Sequence, residues 1–214
     1  MRVYEAIVKA LEGIGVDAAF GGAGENAAPL MLALKHSTKI RSVITRHEQA
    51  ASFMACGYAI YSGRLGVCFA TAGPGAFNLF SGMAVAMSDS YPVLAISGFA
   101  SLEWKGKGAL NETSGVSRTP DSQVMFAATT KRSYLLQNPA ATCDVVEEAV
   151  NLAFDGRPGP VHIHQKASPI QRSPSTITAT SSSTFAQCCL IRQRSPTQLA
   201  CLRAPSARKE RFLL

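Results

Sequence analysis

The sequence predicts an α/β fold: a doubly wound parallel sheet in three layers, with helices on both faces, followed by a disordered C-terminal tail. Three observations carry that prediction. Short apolar runs alternate with longer segments rich in Ala, Met and Leu, the pattern of parallel strands joined by crossover helices. Three of the runs end in turns, Gly21-Gly22-Ala23-Gly24-Glu25-Asn26, Arg46-His47-Glu48 and Ala72-Gly73-Pro74-Gly75, and in such a sheet these turns converge on one crevice at the carboxyl ends of the strands. After Ala167 the composition changes abruptly. The last 47 residues hold eight Ser, five Thr and four Pro without sustained periodicity, a make-up that cannot bury enough apolar surface to fold.

The elements follow in order. Val3, Ile7, Leu11 and Ile14 recur at helical spacing, so the chain opens with an amphipathic helix that stops at Gly13 or Gly15. Strand 17–21, helix 26–36, strand 40–45, helix 47–62, strand 66–71, helix 75–88 and strand 92–97 are expected next. Residues 100–121, rich in Gly, Ser, Thr, Asn and charge, read as a loop long enough to carry function. Helix 121–128, strand 131–136, helix 139–154 and strand 160–164 complete the set, with Gly156 where the last helix should end. The apolar helices, above all residues 83–87, are expected to leave an exposed patch that promotes self-association.

The net charge of +7 would point to a polyanion if it lay on the folded body. It does not: residues 168–214 hold six Arg and one Lys against Glu210 alone, leaving residues 1–167 at +1. Nucleic acid is therefore not an expected partner. The six cysteines, Cys56, Cys68, Cys143, Cys188, Cys189 and Cys201, show no CxxC spacing and are too sparse for a disulfide scaffold, so a reducing compartment is expected. The first nineteen residues lack the form of a signal peptide, and the most apolar window, 83–99, is broken by Asp89 and Pro92. A cytoplasmic or organellar protein with no membrane span is the expectation.

Two roles are open to Glu48. Thr45-Arg46-His47-Glu48 has the spacing of a capping box, in which Thr45 and Glu48 satisfy each other's end of the helix. A carboxylate at the mouth of a helix after a strand is also where α/β enzymes place chemistry. Gly22-x-Gly24-x-x-Ala27 satisfies a dinucleotide fingerprint with Glu48 as its ribose acid, although a helix ahead of the first strand argues against it. His162 and His164 alternate on a strand and share a face, which is possible metal geometry, but no third ligand is apparent. Partly exposed strand histidines are expected instead.

Taken together, the motifs resemble the pyrimidine-binding domain of thiamine diphosphate enzymes, most closely the acetolactate synthase-like branch. The resemblance runs from about Val3 to Lys166. Its carriers are Gly15-Val16-Asp17 to Phe20-Gly21, Arg46-His47-Glu48-Gln49-Ala50, Gly57-Tyr58-Ala59, Ala72-Gly73-Pro74-Gly75-x-x-Asn78, Asp89-Ser90-x-Pro92-Val93 and Gly156-Arg157-Pro158-Gly159-Pro160-Val161. It implies that residues 1–167 form the pyrimidine-binding domain and 168–214 a basic Ser/Thr/Pro-rich tail. It further implies that Glu48 is catalytic, hydrogen-bonding N1′ of the cofactor's aminopyrimidine and so promoting loss of the thiazolium C2 proton. Pro74, Gly75 and Asn78 would lie beside the pyrimidine, and Asn111 on the substrate side, where many relatives carry Phe-Gln-Glu. The substrate would be a small 2-oxo acid, and the reaction its carboligation or decarboxylation.

The resemblance also marks what to look for elsewhere. Members that act alone carry a second domain with Gly-Asp-Gly and a downstream Asn that hold Mg²⁺ and the diphosphate, and Gly-Asp-Gly does not occur in these 214 residues. The chain is therefore expected to bind only the pyrimidine end, to be inactive alone, and to need a homo- or hetero-oligomeric partner that supplies a diphosphate-binding domain. A split 2-oxo acid decarboxylase and a non-catalytic interaction module of the same fold are the alternatives. Some relatives also keep FAD.

Overall fold

A computed structural model describes residues 2–100, 102–136 and 139–166. Six strands form one parallel sheet: β1 (Ala18–Gly21), β2 (Arg41–Ile44), β3 (Gly66–Ala70), β4 (Val93–Phe99), β5 (Ser133–Leu136) and β6 (Val161–Lys166), in the order β2-β1-β3-β4-β6-β5. The helices are α1 (Val3–Gly13), α2 (Ala28–His36), α3 (Glu48–Ser62), α4 (Pro74–Asn78), α5 (Phe80–Asp89), α6 (Ser122–Thr129) and α7 (Thr142–Phe154). The chain winds outward from β1 to β2, then crosses back to β3 on the other side of β1. That reversal puts the topological switch point between β1 and β3.

Burial explains why the strands read as continuous apolar runs. Every residue of β3 and β4 is buried, because helices cover both faces. On one face α1, α2 and α7 pack through Ile7, Leu11, Leu30, Leu34, Val146 and Ala149. On the other, α3, α5 and α6 pack through Ala51, Ala55, Ala59, Met83, Ala86 and Phe126. The second layer is built from small residues and sits close. A Cβ on Gly66 would come within 2.1 Å of Ala55 O, and one on Gly82 within 2.3 Å of Ser52 Oγ.

Helix ends are tied by long-range polar contacts. Lys131 Nζ donates to the carbonyls of Leu152 and Asp155, both at 2.6 Å, and so neutralises the negative end of α7. Arg157 donates to Ser90 Oγ at 2.6 Å and Ser88 O at 2.5 Å, closing α5 where Ser90 turns left-handed. Asp17 receives the Tyr58 hydroxyl and pairs with Arg64, which joins the start of β1 to the end of α3. The Gly156 prediction also stands: φ is +54°, one residue past the cap of α7.

Three expectations are corrected. Helix 75–88 is two helices, because the Leu79 amide bonds to Ala76 O three residues back, and Pro74 starts the first. His162 and His164 are not partly exposed; both are at 0%, since α6 folds over them. Residues 83–87 are exposed only in part: Met83 and Ala86 are buried, whereas Ala84 and Met87 are exposed and Val85 is half-buried. Among the described residues, α3 carries more exposed large apolar side chains than any other element, Phe53, Met54, Ile60 and Tyr61. The expected disordered tail, with Cys188, Cys189 and Cys201, lies outside the described residues. Among the described residues Cys56 and Cys68 are buried thiols, and no helix is long and apolar enough to cross a membrane.

Gly66→Ala and Gly82→Ala should each cost about 1–3 kcal/mol by forcing α3 away from its neighbours. Urea unfolding measures this; midpoints equal to that of the parent chain would contradict the packing described.

Candidate functional site

The crevice is assembled from backbone first. The turn after β1 is pinned by the Gly22 amide to Phe69 O at 3.4 Å, and by the Asn26 amide to Thr71 Oγ1 at 3.2 Å. Gly24 presses against Thr71, where a Cβ would come within 2.4 Å of that side chain. The Ala27 and Ala28 amides close back on Gly24 O at 3.0 and 2.8 Å. The amides of Gly22, Asn26, Ala27 and Ala28 are thus engaged within the turn and its anchorage.

The turn after β2 delivers Glu48. Thr45 does not cap the helix: its amide and hydroxyl both donate to Gly21 O, at 2.7 and 3.2 Å. The N-cap is His47, whose Nδ1 accepts the Gln49 amide at 3.2 Å, and Glu48 is the first helical residue. The capping-box role is thus overturned, because the helix starts two residues later than that spacing requires. Glu48 is half-buried and turns toward the switch point instead. Its Oε2 accepts from Asn78 Nδ2 at 3.0 Å. Oε1 accepts no hydrogen bond among the described residues and lies between two glycines: a Cβ would come within 3.4 Å of it from Gly22 and 2.9 Å from Gly75.

The turn after β3 supplies the far wall. Gly73, with φ +63° and ψ −126°, takes a conformation open to glycine, and the chain enters α4 at once. Pro74 is exposed, Gly75 is buried beside Glu48, and Asn78 sits one turn on. Asn111 joins this wall from the long loop. It is left-handed at φ +58°, and a Cβ on Gly73 would come within 2.7 Å of its own Cβ. The structure thus brings Glu48, Gly75, Asn78 and Asn111 to one crevice, with Pro74 on its rim.

Two participants had no sequence signal. Thr71 is the post on which both Gly24 and Gly75 rest, a role visible only in three dimensions. Glu112, 7% exposed, accepts the Gly106 amide at 2.5 Å and the Ser114 hydroxyl at 2.6 Å. These bonds, the Gly106 amide foremost, hold its carboxyl below the ordinary glutamate range. Its position beside Asn111 was in view, but nothing local distinguished a loop anchor from a solvated acid. Among the described residues no three His, Cys, Asp or Glu are grouped to hold a metal.

Comparison with known proteins follows the same lines. The sequence profile of the family described as "Thiamine pyrophosphate enzyme, N-terminal TPP binding domain" matches residues 1–118. The chain is 41% identical over 161 residues to the acetolactate synthase large subunit of Corynebacterium glutamicum, covering 75% of this chain and 25% of that protein. It is 42% identical over 157 residues to the chloroplastic acetolactate synthase of Arabidopsis thaliana, covering 73% and 22%, and 43% identical over 157 residues to chloroplastic acetolactate synthase 3 of Brassica napus, covering 73% and 23%. The chain spans about a quarter of the length of the curated relatives it matches.

A methyl added at position 75 meets Thr71 Cγ2 at 2.7 Å as well as Glu48 Oε1. Gly75→Ala should cost about 1–3 kcal/mol, and Thr71→Ser, which removes that methyl and keeps the hydroxyl to Asn26, should recover part of it. A double-mutant cycle in thermal or urea unfolding should give a coupling of about 1 kcal/mol; strict additivity would contradict the contact.

Proposed function

The chain belongs to the thiamine pyrophosphate enzymes through their N-terminal TPP binding domain, and we propose that residues 1–167 are the pyrimidine-binding part of an acetolactate synthase-like 2-oxo acid carboligase or decarboxylase. The single observation that carries this is the Glu48 carboxylate, held by Asn78 on one oxygen and flanked by Gly22 and Gly75 at the switch point. A half-buried carboxylate with one oxygen committed and the other open fits a flat nitrogen heterocycle, because it can share one proton with a ring nitrogen along a fixed direction. The missing Cβ atoms at 22 and 75 leave the backbone close enough to meet such a ring edge-on.

Thiamine diphosphate, once bound, would supply the carbanion-stabilising chemistry that breaks or forms the bond beside the carbonyl of a 2-oxo acid. The chain's own residues do the rest. Glu48 holds the proton at the pyrimidine end. Asn78 fixes the rotamer of Glu48 by donating to Oε2. Pro74 and Gly75 shape the wall against which the pyrimidine rests, and Asn111 faces the substrate. Mg²⁺ and the diphosphate are assigned to a second domain; a flavin is assigned no residue here. Activity then requires an oligomer or partner chain. The buried thiols of Cys56 and Cys68 suit a reducing, cytoplasmic or organellar, compartment.

The docking face for that partner is proposed to be the outer side of α3. Ala50, Phe53, Met54, Gly57 and Tyr61 form one stripe along it, and Tyr61 is 94% exposed. Gly57 is the telling member. It weakens the middle of a fifteen-residue helix, and a Cβ there would meet nothing within 4 Å. The chain alone gives no reason for a glycine; close approach of another backbone does.

Two outcomes are expected. With a diphosphate-binding domain from a related enzyme, Glu48→Gln should lower turnover of pyruvate by about a hundredfold or more while the circular dichroism spectrum is retained; unimpaired turnover would refute the role. Gly57→Ala should stabilise the chain alone by about 0.5–1 kcal/mol yet weaken its association with that domain. Stabilisation with undiminished association would move the docking face elsewhere.

A further inference from the structure

The densest group of buried polar side chains among the described residues plays no part in the cofactor chemistry. Ser133 Oγ on β5 lies 2.8 Å from His162 Nδ1, His162 Nε2 lies 2.9 Å from Ser97 Oγ on β4, and Ser97 Oγ lies 2.9 Å from His164 Nδ1. His164 Nε2 then lies 3.2 Å from Ser122 Oγ at the start of α6. Ser122 meets Thr113 three times: hydroxyl to hydroxyl at 2.8 Å, hydroxyl to carbonyl at 3.2 Å and amide to carbonyl at 3.1 Å. Phe126 stacks on His162 at 3.5 Å, and Phe99 edges onto His164 at 5.2 Å. An unbroken chain of hydrogen bonds therefore runs from the sheet to the end of the long loop.

Proton counting shows that the chain acts as a unit. A neutral imidazole has one donor and one acceptor nitrogen, and a hydroxyl has one hydrogen. Ser97 touches two ring nitrogens with a single hydrogen, so it donates to at most one of them, and the tautomers of the two histidines are coupled. Among the described residues no carboxylate is hydrogen-bonded to either ring. The nearby acid, Asp121 at the N-cap of α6, is engaged with the Gln123 and Val124 amides at 2.9 and 3.1 Å; the other groups facing the pair, Ser97 and Phe99 from β4, Ser133 from β5 and Ser122 and Phe126 from α6, are uncharged. With ring centroids 4.2 Å apart, a charge on one imidazole also opposes a charge on the other.

The loop needs such an anchor. Asn111 is held left-handed against Gly73, a conformation that costs about 1 kcal/mol or more for a residue with a side chain, and Thr113 is two residues on. We propose that His164, acting through Ser122 and Thr113, is a positioning residue that holds the substrate-side loop and its Asn111 against the Gly73 turn. This rests on the assignment of Asn111 to the substrate side. Burial pushes both imidazoles down, His164 to about 4 and His162 well below the ordinary histidine value. Because the folded values lie below the unfolded one, the stabilisation is present above about pH 6.5 and is lost as pH falls toward 4.

Amide hydrogen exchange on the whole 214-residue chain reads the anchor without cofactor or substrate. At pH 7 the amides of Gly106, Glu112 and Ser122 should be protected, and by pH 4.5 should lose about two orders of magnitude of protection relative to Phe20 and Val43. Ser122→Ala should cost about tenfold at those amides at pH 7 and flatten their pH dependence. Unchanged protection, or the full pH dependence retained in the variant, would overturn the proposal. If Ser122→Ala unfolds, seen at Phe20 and Val43, Thr113→Val tests the same link from the loop side by the same criteria. In a complex completed by a diphosphate-binding domain, Ser122→Ala should raise KM for pyruvate several-fold with cofactor affinity unchanged. A loosened loop with unchanged KM would refute the positioning role and leave the Glu48 half-site standing, whereas failure of the parent complex to bind thiamine diphosphate would remove both.

Discussion

Space beside Glu48 is the constraint on which the rest of the molecule depends. A carboxylate arriving from the turn after β2 can reach the switch point only by passing over the turn after β1 and stopping against the turn after β3. Gly22 and Gly75 allow this, since their Cβ atoms would fall at 3.4 and 2.9 Å from Oε1. Thr45, tied to Gly21 O, and His47, capping α3, fix the point from which Glu48 departs. Thr71 sets the distance between the outer walls by touching Gly24 on one side and Gly75 on the other. The parallel sheet contributes the common edge to which all three turns are delivered.

Much of this was legible because strands covered on both faces cannot alternate. The runs at β3 and β4 are buried throughout and, Ser97 aside, free of polar side chains for that reason, and their ends fall within two residues of the expected bounds. The turns were legible from their glycines, and the family from the order and spacing of motifs spread across the described residues. Gly156 stopped α7 where a left-handed residue was expected.

What sequence could not supply came from tertiary contacts. The capping box failed because a histidine ring nitrogen can do the work of a threonine hydroxyl, which moves the helix start to Glu48 and frees its carboxylate. No local rule links Glu48 to Asn78, thirty residues on. The two histidines were misjudged because their burial depends on α6 closing over β6, and their neutrality follows from that burial. The same holds for the exposed apolar face. It runs along α3 and takes in only part of residues 83–87, since α5 turns Met83 and Ala86 into the sheet layer.

The most direct measurement is calorimetric titration with thiamine diphosphate and Mg²⁺ of the parent chain and Glu48→Gln, each alone and each mixed with a separately expressed diphosphate-binding domain. A half-site predicts tight binding only in the parent mixture, weakened by about tenfold or more, some 1.4 kcal/mol, in the variant mixture. Equal affinity for parent and variant mixtures would contradict the assignment of Glu48 to the pyrimidine, and tight binding by the chain alone would contradict the need for a second domain.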